Sequence, residues 1–109
     1  MTKHEIKADL QDIRYYYTHK AMFDRAEDTG FKNIVVKKAE RYGVYMSRAS
    51  PKLYALFYSL YVEDKTHLAT AMDWNVTEGH IKNVSNQLYL YLLKETNKEE
   101  RDDAIRGST

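Results

Sequence analysis

Residues 65–88 read KTHLATAMDWNVTEGHIKNVSNQL, and this stretch decides the fold. Two helices that pack closely around a tight turn need a small residue in the first, so that the second can approach. They also need a turn residue tolerant of positive φ, then an apolar residue, a cap, and inward positions at helical spacing. Ala71 is the small residue, and Trp74 closes the first helix against the core. Asn75 suits the turn, because asparagine enters the left-handed region more easily than most residues. Val76 is expected to plug the gap between the helices and Thr77 to cap the second one. Ile81, Val84 and Leu88 then recur at spacings of three and four and face inward. Thr70 is the imperfect position, where an apolar residue would be usual. The pattern is that of a helix-turn-helix.

Working outward, the rest of the chain is also helical in pattern. Ile6, Leu10, Ile13 and Tyr17 predict one long N-terminal helix over 4–28, with Gly30 as its stop signal. Phe31, Val35, Ala39, Tyr42 and Met46 form the stripe of a second helix over 31–48, weakened by Gly43. Ser50-Pro51 is a helix start, serine capping and proline fitting the first helical position. The dense stripe that follows, Leu53, Leu56, Phe57, Leu60 and Tyr61, predicts the centre of the core, and Glu63-Asp64 ends it. A short helix over 65–74, with Leu68, Ala71 and Met72 on its apolar side, leads through 75–77 to a last helix over 78–95. The charged tail 96–109 frays or extends that helix part of the way. The expectation is one all-α domain over 1–109 with about five helices, a long N-terminal helix and a C-terminal helix-turn-helix.

The composition narrows the function. The chain has 109 residues and no cysteine, which excludes disulfides and thiolate metal sites. No apolar run approaches the roughly 20 residues of a membrane span, and the start MTKHEIKADLQD is not signal-like. A protein of the bacterial host cytoplasm, making no membrane contact, is expected. Net charge is only +1, but Lys32 to Lys52 carries six basic residues against the single acid Glu40, a local charge of +5. His67 and His80 lack partners at metal-ligand spacing, so neither a metal nor another cofactor is expected. No nucleophile elbow, phosphate loop or dinucleotide fingerprint occurs, and no enzyme is expected. The ten tyrosines suit core edges and a self-association surface better than single-strand stacking.

The polar face after the turn is the candidate site. Thr77, Glu78, His80, Lys82, Asn83, Asn86 and Gln87 lie at its outward positions. Asn and Gln can pair bidentately with adenine edges, Lys with guanine, and Glu can accept from cytosine. Lys37, Lys38, Arg41, Arg48 and Lys65 are the candidates for contacts to phosphate or to a partner. The predicted partner is double-stranded DNA bound by a homodimer, since one short helix on a nearly neutral domain would bind weakly.

The run Trp74-Asn75-Val76-Thr77-Glu78-Gly79-His80-Ile81-Lys82-Asn83-Val84 resembles the helix-turn-helix of sigma factor region four. The overall layout is similar to small phage late-transcription regulators of the ArpU/RinA type. Ile13-Arg14-Tyr15-Tyr16-Tyr17 and Ser50-Pro51-Lys52-Leu53-Tyr54 resemble that group as well. Gly79 departs from the pattern, since a glycine inside the recognition helix is unusual. The resemblance implies a sequence-specific transcriptional regulator encoded by a phage or prophage. The alternatives are a protein-interaction module that binds RNA polymerase or inhibits a host factor, and a small terminase-like DNA-packaging subunit.

Overall fold

A computed structural model describes residues 1–25 and 30–107, with side chains through residue 101. The described residues form six α-helices and no strand, so the all-α expectation holds. They are α1 (Lys3–Thr18), α2 (Lys20–Arg25), α3 (Gly30–Ser47), α4 (Pro51–Phe57), α5 (His67–Trp74) and α6 (Glu78–Gly107). A π-helical stretch, Tyr58–Val62, continues α4. Its wider turn is closed by the Glu63 N–H donating to the Tyr58 carbonyl at 2.9 Å, five residues back.

Helix α1 starts at a complete capping box. Thr2 Oγ1 accepts from the Glu5 N–H, and the Glu5 carboxylate accepts from the Thr2 N–H. Ile6, Leu10 and Ile13 are fully buried, as their spacing requires. The helix is long but ends at Thr18, well short of residue 28. Thr18 Oγ1 donates to the Arg14 carbonyl at 2.8 Å, and the His19 ring contacts the Tyr15 carbonyl at 3.0 Å. The Tyr15 carbonyl also accepts from the His19 N–H at 3.0 Å, and His19 then leaves helical geometry at φ −114° and ψ 28°. The chain restarts as α2 and brings Phe23 to 5.4 Å from the Tyr16 ring. Continuous helix would set those two residues about 10 Å apart along its axis. Residues 26–28 of the expected helix lie outside the described residues, and Gly30 opens α3 instead of stopping the helix before it.

Helix α3 buries Val35, Ala39, Tyr42, Tyr45 and Met46. Phe31, expected on that stripe, is 64% exposed and stacks on Phe23 at the molecule's edge. Ser50 caps α4 through the Leu53 N–H, with Pro51 in the first turn. Leu56, Phe57, Leu60 and Tyr61 join Ile6, Leu10, Ile13, Tyr42, Met46, Ile81, Val84, Leu88 and Leu92 in one core. Leu56 and Leu60 sit in its interior, as the density of their stripe predicts.

Helix α5 corrects the expectation most. Leu68 and Met72 are 55% and 73% exposed, while Thr70 and Ala71 face inward, fully or almost fully buried. The Thr70 hydroxyl is satisfied: it pairs with Ser59 Oγ at 2.8 Å and donates to the Thr66 carbonyl at 2.9 Å. Among the described residues no buried side-chain nitrogen or oxygen lacks a partner. Val76 does not plug the space between the helices, being 38% exposed. Helix α6 is much longer than 78–95, running 30 residues to Gly107. No helix among the described residues is long and apolar enough to cross a membrane.

Candidate nucleic-acid interface

Thr66 caps α5 by accepting from the Ala69 N–H at 3.0 Å. At its other end Asn75 has φ 55° and ψ 47°, the left-handed conformation its identity suggested. The Val76 N–H donates to the Ala71 carbonyl at 3.0 Å, and the Asn75 N–H to the Met72 carbonyl at 3.2 Å. This pair of bonds is a Schellman closure, which satisfies carbonyls that the helix end would orphan. Thr77 Oγ1 then accepts from the His80 N–H at 3.1 Å and caps α6. Trp74 is half-buried against the core.

Helix α6 turns Ile81, Val84, Ser85 and Leu88 inward. Glu78, His80, Lys82, Asn83, Asn86 and Gln87 are all exposed, as is the capping Thr77. They form one polar face over the first three turns. Lys82 and Glu78 are four residues apart, with Nζ 4.0 Å from a carboxylate oxygen, the edge of ion-pair range. Gly79 is in ordinary helical conformation, and a Cβ there would meet only Thr77 Oγ1, at 3.9 Å. Packing within the chain therefore does not require glycine at this position.

The α1 side of this face carries two residues the sequence did not single out. Lys3 Nζ donates to Asn86 Oδ1 at 3.1 Å. Lys3 and Lys7 lie 5.7 and 5.2 Å from the centre of the Tyr89 ring. Lys3 and Asn86 are 83 positions apart in the chain, so no local sequence pattern pairs them.

The basic residues expected to hold phosphate are largely engaged elsewhere. Lys38 pairs with Asp9 at 3.1 Å and Asp12 at 2.8 Å, and Arg41 with Asp9 at 3.6 Å. Partial burial works against the Lys38 ammonium, but its bonds to Asp12 and Asp9 outweigh it and raise the pKa. Asp9 also accepts from Tyr42 Oη at 2.6 Å, tying α3 to α1. Lys65 pairs with Asp73 at 2.8 Å and Glu63 at 3.6 Å. The hydrogen bond to Asp73 is the main reason its pKa is raised. Arg48 lines a shallow recess with Glu95, Lys98 and Glu99, far along α6 from its first turns. Lys37 is exposed and shares a surface with Ile34, Lys38 and Arg41.

Comparison with family models, curated proteins and solved structures gives no match.

Two further surfaces are present. An open cleft of about 440 Å³ lies between α4, the π-helical stretch and α5, lined by Tyr54, Tyr58 and Trp74 with Glu63, Lys65 and Asp73. Leu68 and Met72, four residues apart on α5, are exposed, as is Val76 just past the helix end. Among the described residues no group of three or more His, Asp or Glu is placed to hold a metal ion.

Proposed function

We propose that this chain is a sequence-specific DNA-binding transcriptional regulator of the phage type it resembles, which lays the first turns of α6 in the major groove. The polar face of α6 carries this reading. It follows directly on a turn closed by a left-handed Asn75 and a Thr77 cap, and it exposes amide and ammonium side chains suited to base edges. Gly79 supports it, since a position without steric need for glycine is free to serve close backbone approach to DNA.

Selection of duplexes from a random pool tests the reading. Wild type enriches a defined sequence. Asn83→Ala loses roughly 1–3 kcal/mol on that sequence and relaxes preference at one position, because a base contact is gone. If wild type enriches nothing and retains no duplex at low salt, the reading fails.

The regulator acts as a homodimer. Exposed Tyr15, Met22, Phe31 and Ile34 around the α1–α2 break support a self-association surface. Sedimentation showing only monomer at micromolar concentration would remove the dimer.

Exposed Leu68 and Met72 on α5, with exposed Val76 past its end, favour a second reading, a module that binds another protein such as RNA polymerase. Heparin retention separates the two, because a phosphate binder elutes with a steep salt dependence and a pure protein binder does not.

A further inference from the structure

We propose that Lys3 and Lys7 of α1, held beside Asn86 and Tyr89 of α6, are the residues that grip the DNA backbone. This rests on the DNA-binding reading above and changes where its phosphate contacts lie.

Lys3 and Lys7 are one helical turn apart and share a face of α1. That face meets α6 at Asn86 and Tyr89, beside the exposed Lys82 and Asn83. Among the described residues neither lysine is in an ion pair, whereas Lys38, Arg41 and Lys65 each are; Lys37 and Arg48 are in none either, but lie beside Ile34 and Arg41 on α3 and beside Glu95 and Glu99 far along α6. The partners of Lys3 and Lys7 are an amide oxygen and a ring face, which orient an ammonium without neutralising it. The Lys3 ammonium has three donors, and Asn86 takes one of them. A cation in this state releases counterions in full when it meets a phosphate. A cation already paired with a carboxylate must first give that partner up.

The dimensions agree. A helix with its side chains is about 10–12 Å across, close to the roughly 12 Å width of the major groove. Cations along the edge of such a helix meet the phosphates of the groove wall, while its outer face meets the bases. Lys3 and Lys7 lie along the α1 edge of α6.

Asn86 takes a different role as a result. Bidentate recognition of adenine needs both the oxygen and the nitrogen of an amide. The Asn86 oxygen already accepts from Lys3. The bond turns the Asn86 amide toward α1, which makes Asn86 a positioning residue that aims Lys3, while Asn83 and Gln87 keep both amide atoms for bases.

The test uses the duplex that wild type enriches from a random pool, with binding measured over a salt series. Lys3→Gln with Lys7→Gln weakens binding to all sequences alike and lowers the log–log salt slope by about two, one unit per lysine. Lys37→Gln with Arg48→Gln leaves the slope unchanged. Lys3→Arg with Lys7→Arg keeps the wild-type slope. Asn86→Ala weakens binding without changing preference at any one base. An unchanged slope in the Lys3/Lys7 double variant, with the slope lost in the Lys37/Arg48 variant, overturns this proposal while the DNA-binding reading stands. Relaxed preference at one base in Asn86→Ala overturns the positioning role. No duplex retained by wild type at low salt overturns the reading itself, and this proposal with it.

Discussion

Asn75 shows how far one side chain can be read from sequence. Few residues accept positive φ, and an asparagine between a tryptophan and a valine in a helical context has little else to do. Its φ of 55° agrees. Asn75→Gly should leave stability nearly unchanged, and Asn75→Val should cost about 1–2 kcal/mol by thermal unfolding, the strain of a β-branched residue there. Equal melting of the two variants would contradict the conformation. Asp64, just past the π-helical stretch, also has a positive φ, 58°, and Glu63-Asp64 was legible as a break. Thr70 was not legible. Its polarity marked it as imperfect, because sequence cannot show that Ser59 stands 2.8 Å away to satisfy it. Thr70→Val should cost about 1–3 kcal/mol, since the Ser59 hydroxyl is left buried without its partner. Adding Ser59→Ala should recover much of that loss. Chemical denaturation of both singles and the double gives the coupling, and strict additivity would show that the two hydroxyls act independently.

At the scale of elements, periodicity worked where a helix is covered over many turns. Ile6-Leu10-Ile13 and Ile81-Val84-Leu88 were readable as buried stripes because each side chain repeats the same choice of face. It failed on α5. Eight residues offer too few repeats, and the inward side is taken by the small Thr70 and Ala71 in place of the large apolar residues. The end of α1 at Thr18 was also hidden, because helix-compatible residues run on past it while the chain turns at His19 and Phe23 packs back on Tyr16. A paired experiment checks the corrected burial. Leu60→Ala should lose about 2–5 kcal/mol, whereas Met72→Ala should lose less than about 0.5 kcal/mol. Comparable losses would mean that α5 presents its other side to the core.

For the whole molecule, long-range placement was the part sequence left open. The cluster of positive charge over 32–52 drew attention to α3, yet α1 supplies the carboxylates that balance Lys38 and Arg41, and also the lysines beside α6. The radius of gyration, 15.3 Å, exceeds the roughly 13 Å of a compact chain of this length. The 30 residues of α6, about 45 Å of helix, account for the elongation. Tyrosine chemistry gives a further molecular test. Burial first, and then Asp9 for Tyr42, Glu99 for Tyr45 and Tyr89 for Tyr61, raise these phenols above their ordinary value of 10.0. A raised phenol pKa stabilises the fold fully below pH 10.0, and the contribution is lost as pH climbs above it towards the raised values. In alkaline titration these three phenols should ionise only as helical circular dichroism is lost. If all ten tyrosinates form before any helix melts, the burial is wrong.

Helix α6 is a single uninterrupted rod, and its far end is fastened. Tyr91 Oη donates to the Tyr45 carbonyl at 2.6 Å, and Tyr45 Oη donates to Glu99. The two ends therefore share one rotational phase, like gears keyed to a common shaft. One residue inserted after Leu93 advances everything beyond it by about 100°, whereas four residues advance it by about 40° net. The single insertion leaves Tyr91 on the Tyr45 carbonyl but should break the Tyr45–Glu99 bond and turn Thr96 off its buried side, whereas the four-residue insertion should bring Glu95 to the place of Glu99 and preserve most of the stability. Because the α6 end that carries Lys82 and Asn83 lies upstream, α5 and the core would hold its orientation in both variants. Any signal delivered at the distal end would then have to travel as axial rotation, since an unbroken helix has no hinge along which to bend.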